Sequence, residues 1–232
     1  MKRAKAVLFD LYDTLVYADS QSLEDKLSAC ARICAVKPSE FSRVWRSFVV
    51  ESNLGRFPTT EERVREVVRT LGLTETPALV TSLTRQEHEF LERGTRLFVD
   101  AISTLVSLRQ RGLKLALVTN ASPSVHIVLR SHRLPEYVDA IVVSCEVGSR
   151  KPDPGIYRTA MEELKAEASE GVFVGDGNDG ELDGAHSLGM ATIWIRRGLP
   201  KYVPTRESVP ESIDFTVESL SDVVRIIDKE AE

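Results

Sequence analysis

The chain has 232 residues, 42% hydrophobic and 28% charged, with 30 basic side chains against 35 acidic ones and a formal net charge of -5. No run approaches the about 18 apolar residues of a membrane span, and an acidic chain lacks the basic excess that neutralises nucleic-acid phosphates, so neither a membrane nor a nucleic-acid partner is expected. The length exceeds one typical domain and falls short of two, which predicts a main domain carrying a smaller insert.

The opening MKRAKAVLFD has a basic head, but its apolar stretch runs into acids without a small-residue cleavage site. It reads as a first strand over 4–9 and not as a signal peptide, and the expected location is the cytoplasm. Next comes a long interval with helical periodicity only. Leu23, Leu27, Ala31 and Cys34 mark one helix, Phe41, Val44, Trp45 and Phe48 a second, and Val64, Val67, Val68 and Leu71 a third. Thr59 followed by Glu62 predicts a capping box opening the third helix, and a fourth is expected over 78–91. Cys30 and Cys34 fall on one apolar helix face and are expected in a core; with Cys145 they make an odd, unpatterned set of reduced thiols.

From residue 99 onward, amphipathic stretches over 99–109, 123–131, 154–164, 181–188 and 221–229 alternate with β-branched runs over 113–118, 140–144, 171–174, 191–195 and 215–217. Ser122 before Pro123 reads as a capped helix start. This βαβ rhythm predicts an α/β fold, a Rossmann-like doubly wound parallel sheet covered on both faces. The core domain is expected over 1–16 and 96–232, with a four-helix unit inserted over 17–95. The stretch 199–212, with three prolines, reads as an extended surface connection.

In an open parallel sheet the loops at the carboxyl ends of the strands converge on one crevice. Asp10, Tyr12, Asp13 and Thr14 follow the first strand, Thr119 and Asn120 the second, and Lys151 lies after the third. The run GDGNDGELDG, with Asp176, Asp179, Glu181 and Asp183, follows the fourth. Carboxylates, a hydroxyl and an ammonium at one sheet edge suit phosphoryl chemistry, because Mg²⁺ takes oxygen ligands and shares its shell with phosphate, while a carboxylate serves as nucleophile. Each group alone has a plainer explanation as a strand end, a turn, a surface charge or a helix cap. Four groups in order, each after its own strand, are hard to obtain by chance.

The segments VLFDLYDTLV, LALVTNAS, EVGSRKPDPGIY and VFVGDGNDGELDGAHSLGM resemble the four successive motifs of haloacid dehalogenase superfamily hydrolases. The resemblance spans nearly the whole core and implies that the insert is a helical cap. It implies Asp10 as covalent nucleophile, Thr119 and Asn120 as substrate-binding groups, Lys151 as the cation that orients the nucleophile, and Thr14 as support for the loop. It further implies Mg²⁺ held by Asp10, the backbone carbonyl of Tyr12, Asp176 and Glu181, with Asp179 or Asp183 as alternates. The implied substrate is a small phosphate ester, hydrolysed through an aspartyl-phosphate.

One position departs from the phosphatase pattern: Tyr12 stands where an acid usually protonates the leaving oxygen. A tyrosine of ordinary pKa about 10 is a poor general base near neutrality, and general acid–base help is worth roughly 100-fold to 10,000-fold. A halide leaves without a proton, and the family's 2-haloacid dehalogenases resemble this chain at Tyr12 and Tyr157. They need no metal, however, and a cluster of carboxylates is most simply retained by a cation. A third expectation is a binding or regulatory protein on the same fold. Asp13 is offset by one residue and points away from the position of the missing acid. Arg56, beside Gly55 between two inserted helices, is a candidate contact for an anionic substrate, while His88, His126, His132 and His186 share no spacing suited to a metal.

Overall fold

The computed structural model describes residues 4–198 and 212–230; of the connection expected over 199–212, all but Ser212 lies outside the described residues. Strand β1 (Ala6–Phe9) leads into a short β2 (Val16–Ala18), then helices α1 (Ser20–Cys34), α2 (Pro38–Ser47), α3 (Val49–Asn53), α4 (Thr60–Thr70) and α5 (Pro77–Arg93). The chain returns through β3 (Thr95–Leu97), α6 (Ala101–Gln110), β4 (Lys114–Thr119), α7 (Val125–Ser131), β5 (Ala140–Val143) and α8 (Ser144–Val147). It finishes with α9 (Pro154–Leu164), β6 (Gly171–Gly175), α10 (Glu181–Ser187), β7 (Ala191–Ile195), β8 (Phe215–Val217) and α11 (Leu220–Glu230).

Six strands form one parallel sheet in the order β5-β4-β1-β6-β7-β8. The chain builds outward from β1 on one side through β4 and β5, then crosses to β6 on the other, so the topological switch point lies between β1 and β6. Phe9 pairs with Leu117 of β4 and with Val174 of β6. That register brings the ends of the three central strands out side by side.

The strand residues alternate between two buried layers, as a two-unit period requires. Val7, Phe9, Leu115, Leu117, Val172 and Val174 pack with Leu105, Val128 and Val223 of α6, α7 and α11. Leu8, Ala116, Val118 and Phe173 pack with Ile156, Tyr157, Met161 and Leu182 of α9 and α10. Burial on both faces is why these strands read as continuous apolar runs.

Helices α1 to α5 have a separate core of Cys30, Cys34, Phe41, Trp45, Val64, Val67 and Leu83, with both cysteines free and buried. The Thr59–Glu62 capping box forms as the sequence predicts. The inserted unit has five helices and not four, because the second expected helix breaks at Phe48 (φ -99, ψ 4) and resumes as the one-turn α3. The antiparallel ribbon of β2 and β3 at its root was not expected; its strands meet only across the inserted helices, so neither carries a local signal of the pairing. Helix α7 starts at Val125 and not at Pro123, since Val125 N bonds to Ser122 O in a preceding turn. No helix among the described residues is long and apolar enough to cross a membrane.

Candidate active site

Asp10 is the first residue beyond β1, and its amide donates to Val174 O of β6 at 2.9 Å. The chain then folds back tightly, with Leu15 N and Val16 N both on Leu11 O at 2.9 Å and Asp13 in the left-handed region (φ 59). An arginine beyond β7 braces this turn: Arg197 donates to Thr14 O at 3.0 Å while pairing with Asp100. Thr14 is fully buried, and its Oγ1 has no hydrogen-bond partner among the described residues.

Lys151 arrives from the loop before α9 and is only 2% exposed. Its Nζ lies 2.5 Å from Asp10 Oδ1 and 2.5 Å from Glu181 Oε2. Glu181 opens α10; its other oxygen accepts from Gly177 N at 3.1 Å, and its backbone carbonyl accepts from the buried Tyr157 hydroxyl at 2.7 Å. Only glycine fits at 175, since a Cβ there would fall 2.1 Å from Glu181 Oε1. Asp176 is held by Asn178, whose amide N and Nδ2 donate to its two oxygens at 3.1 and 2.7 Å. Ligand oxygens of Asp10, Asp176 and Glu181 all lie within 4.8 Å of one another, and all three residues are buried.

Burial pushes the Asp10 carboxyl up; Lys151 opposes that and Asp176 reinforces it, leaving it above the ordinary carboxylate range. Burial likewise raises Glu181, Lys151 opposes it, and Asp10 and Asp176 add to it, holding the carboxyl well above its ordinary value. Lys151 is lowered by burial but raised more by Asp10 and Glu181, so it stays charged. With the carboxylates ionised, three negative charges face one ammonium. The residual charge of about two is what a divalent cation would neutralise, and the all-oxygen donor set suits a hard one.

The other sequence candidates are placed differently. Thr119 ends β4 and is 1% exposed. Asn120, expected as a substrate contact, clamps the Lys151 backbone, donating to Lys151 O at 3.0 Å and accepting from Lys151 N at 2.8 Å. Asp179, an alternate metal ligand, lies outside the trio: its carboxylate takes Asn120 Nδ2 at 2.7 Å and Arg150 Nη2 at 2.9 Å. Asp183 also lies outside and accepts from Ser212 N at 3.0 Å. Two residues of α-helix turn a side chain by about 200°, so Glu181 and Asp183 face opposite ways. Tyr12 is partly buried against the larger core cluster. Arg56 is exposed, paired with Glu51 at 2.5 Å and over the Phe57 ring at 5.3 Å.

Sequence reasoning missed Asn178, Arg197 and Asn53. Asn178 follows Asp176 by two residues, an Asx-turn spacing that was readable. Arg197 and Asn53 act on residues 183 and 67 positions away and left no local signal.

Residues 4–189 match the sequence profile of the haloacid dehalogenase-like hydrolases. The chain is 30% identical to the glyceraldehyde 3-phosphate phosphatase of Methanopyrus kandleri, over 97% of this chain and 99% of that protein. It is 28% identical to the (S)-2-haloacid dehalogenase of Pseudomonas sp. strain YL, over 100% of this chain and 97% of that one. Among solved structures, a HAD phosphatase from Thermococcus onnurineus superposes with a TM-score of 0.68 at 26% identity, covering 96% of this chain and 97% of that chain. With an aspartate just beyond its first strand, a buried lysine and an acidic loop at the switch point of a parallel sheet, and with the profile match over most of its length, the chain belongs to the haloacid dehalogenase-like hydrolase family.

Proposed function

We propose that the chain is a Mg²⁺-dependent phosphatase of a small phosphorylated metabolite, working in the cytoplasm with residues 17–95 as a cap over the site. The observation that carries this reading is the buried trio Asp10, Asp176 and Glu181 around the single ammonium of Lys151. Asp10, Asp176, Glu181 and the Tyr12 carbonyl are the groups that would hold the cation, with one Glu181 oxygen also on Lys151. The bound cation would neutralise phosphoryl oxygens as charge builds on them.

An Asp10 oxygen attacks phosphorus, and the bond from phosphorus to the ester oxygen breaks. Lys151 holds the attacking carboxylate in line and balances its charge. The departing oxygen takes its proton from water, since position 12 carries no carboxylic acid. Water then attacks the phosphorus of the aspartyl-phosphate, the bond to Asp10 breaks, and inorganic phosphate leaves with Asp10 restored. Thr119, at the end of β4, would bind phosphoryl oxygens.

A second reading, metal-independent 2-haloacid dehalogenation, is favoured by Tyr12 and by similarity to the Pseudomonas enzyme. Against it, the buried Asp176 beside Asp10 would repel the substrate's own carboxylate unless a cation intervened. A panel of phosphate esters and 2-haloacids, run with Mg²⁺ and with chelator, separates the two. Magnesium-stimulated phosphate release from p-nitrophenyl phosphate, abolished in Asp10→Asn, is the expected result. Chelator-insensitive chloride release from 2-chloropropionate, with no phosphate release, would overturn the phosphatase reading.

A further inference from the structure

The inserted helical unit touches the core's catalytic loops at one corner. Asn53, the last residue of α3 and 8% exposed, donates from Nδ2 to the backbone carbonyl of Asn120 at 3.2 Å. Two residues later Gly55 (φ +81) passes so close to the core that an added Cβ would sit 2.5 Å from Cys145 O. These two contacts seat the corner against the loop that follows β4 and the short helix α8 that follows β5.

Asn120 is the first residue beyond the β4 ladder, so the sheet no longer fixes its backbone. Yet its side chain must be fixed, because it grips both the N–H and the carbonyl of Lys151. A clamp is only as rigid as its own anchor, and Asn53 supplies an anchor from outside the core. Lys151 Nζ stands in turn 2.5 Å from Asp10 Oδ1.

We infer that Asn53 is a positioning residue that ties the seating of the helical unit to the placement of Lys151 against Asp10. The connection runs from Asn53 through the Asn120 backbone to the Asn120 side chain, and from there to the Lys151 backbone. It rests on Asp10 being the nucleophile, and it serves attack on phosphorus or on carbon alike. With α3 seated, the lysine is held in line with Asp10; with α3 displaced, the clamp loosens and the ammonium loses its alignment.

Asn53→Leu keeps the side chain's approximate shape and removes the donor without adding a charge. Kinetics with p-nitrophenyl phosphate and amide hydrogen exchange are measured for this variant, for Asn120→Ala and for the double variant. The expected result is a kcat lowered about 2-fold to 12-fold in Asn53→Leu, the equivalent of one neutral hydrogen bond, with KM changed less than about twofold. Exchange at the Lys151 amide rises while α4 stays as protected as in the native chain. In the Asn120→Ala background Asn53→Leu costs nothing further, because the route to Lys151 is already cut. Additive losses in the double variant, or unchanged exchange at Lys151, would overturn the inference. If the native chain turns over no phosphate ester, the phosphatase reading fails by itself, and Lys151 exchange alone decides the role of Asn53.

Discussion

Tyr12 is the side chain on which the chemistry turns. Its backbone continues the loop that carries Asp10, so Tyr12→Asp changes the acid–base equipment and leaves the chain path in place. The variant should raise kcat for an alkyl phosphate by about 10-fold to 100-fold, and for p-nitrophenyl phosphate much less, because a good leaving group needs little proton help. Steady-state kinetics on the two esters check this, and equal gains on both would refute an acid role for position 12. A second effect is visible at the same scale. Asp100 is raised by burial but lowered more by hydrogen bonds from Arg197 and Leu220 N, so its carboxyl lies below the ordinary value. A depressed carboxylate adds stability in full above its unfolded value of about 4, and that contribution is lost as pH falls through the folded value. Urea midpoints of the native chain and Asp100→Asn should therefore differ at pH 6, and the gap should shrink as pH falls below about 4. A gap that does not change with pH would show the Asp100–Arg197 pair to be energetically idle.

The inserted helices hold a charge pair inside their own core. Lys26 Nζ lies 2.5 Å from Glu87 Oε2 with the two side chains 3% and 9% exposed, and the ammonium stands 4.6 Å over the Trp45 ring. Removing one partner of a buried pair leaves an uncompensated charge, whereas replacing both by apolar groups is often close to neutral. Glu87→Leu is expected to cost about 3–5 kcal/mol, and Lys26→Met combined with Glu87→Leu to recover most of it. Denaturant unfolding of the three variants measures the difference, and a single variant as stable as the native chain would refute the pairing. Legibility also varied by element. The six strands of the parallel sheet and α1, α4, α5 and α9 were readable because each carries its own apolar run, period or cap. The ribbon of β2 and β3 was not, since its strands gain stability only by meeting across the five inserted helices, from Ala18 at one end to Thr95 at the other.

Across the whole molecule, the site exists because two halves of one sheet diverge between β1 and β6 and leave their loops facing each other. Ligand binding there should stabilise the entire fold, since it draws on residues from four separated segments. Orthovanadate with Mg²⁺ at about 100 times its dissociation constant should add about 2.7 kcal/mol. The rise in melting temperature should vanish in Asp176→Asn. An equal rise in that variant would place vanadate elsewhere. The α/β class, the inserted helices and the candidacy of Asp10, Lys151, Asp176 and Glu181 were legible in the sequence, because apolar strand runs and the polar residues just beyond them are local properties of the chain. Tertiary structure alone decided that the alternates Asp179 and Asp183 stand apart from Asp10. It turned Asp179 toward Asn120 and Arg150, and Asp183 toward Ser212 N, while aiming Glu181 at Lys151. It also gave Asn120 and Asn53 their tasks. Such pairings follow from sheet register and helix phase, which fix atoms in space only after elements far apart in the chain have packed together.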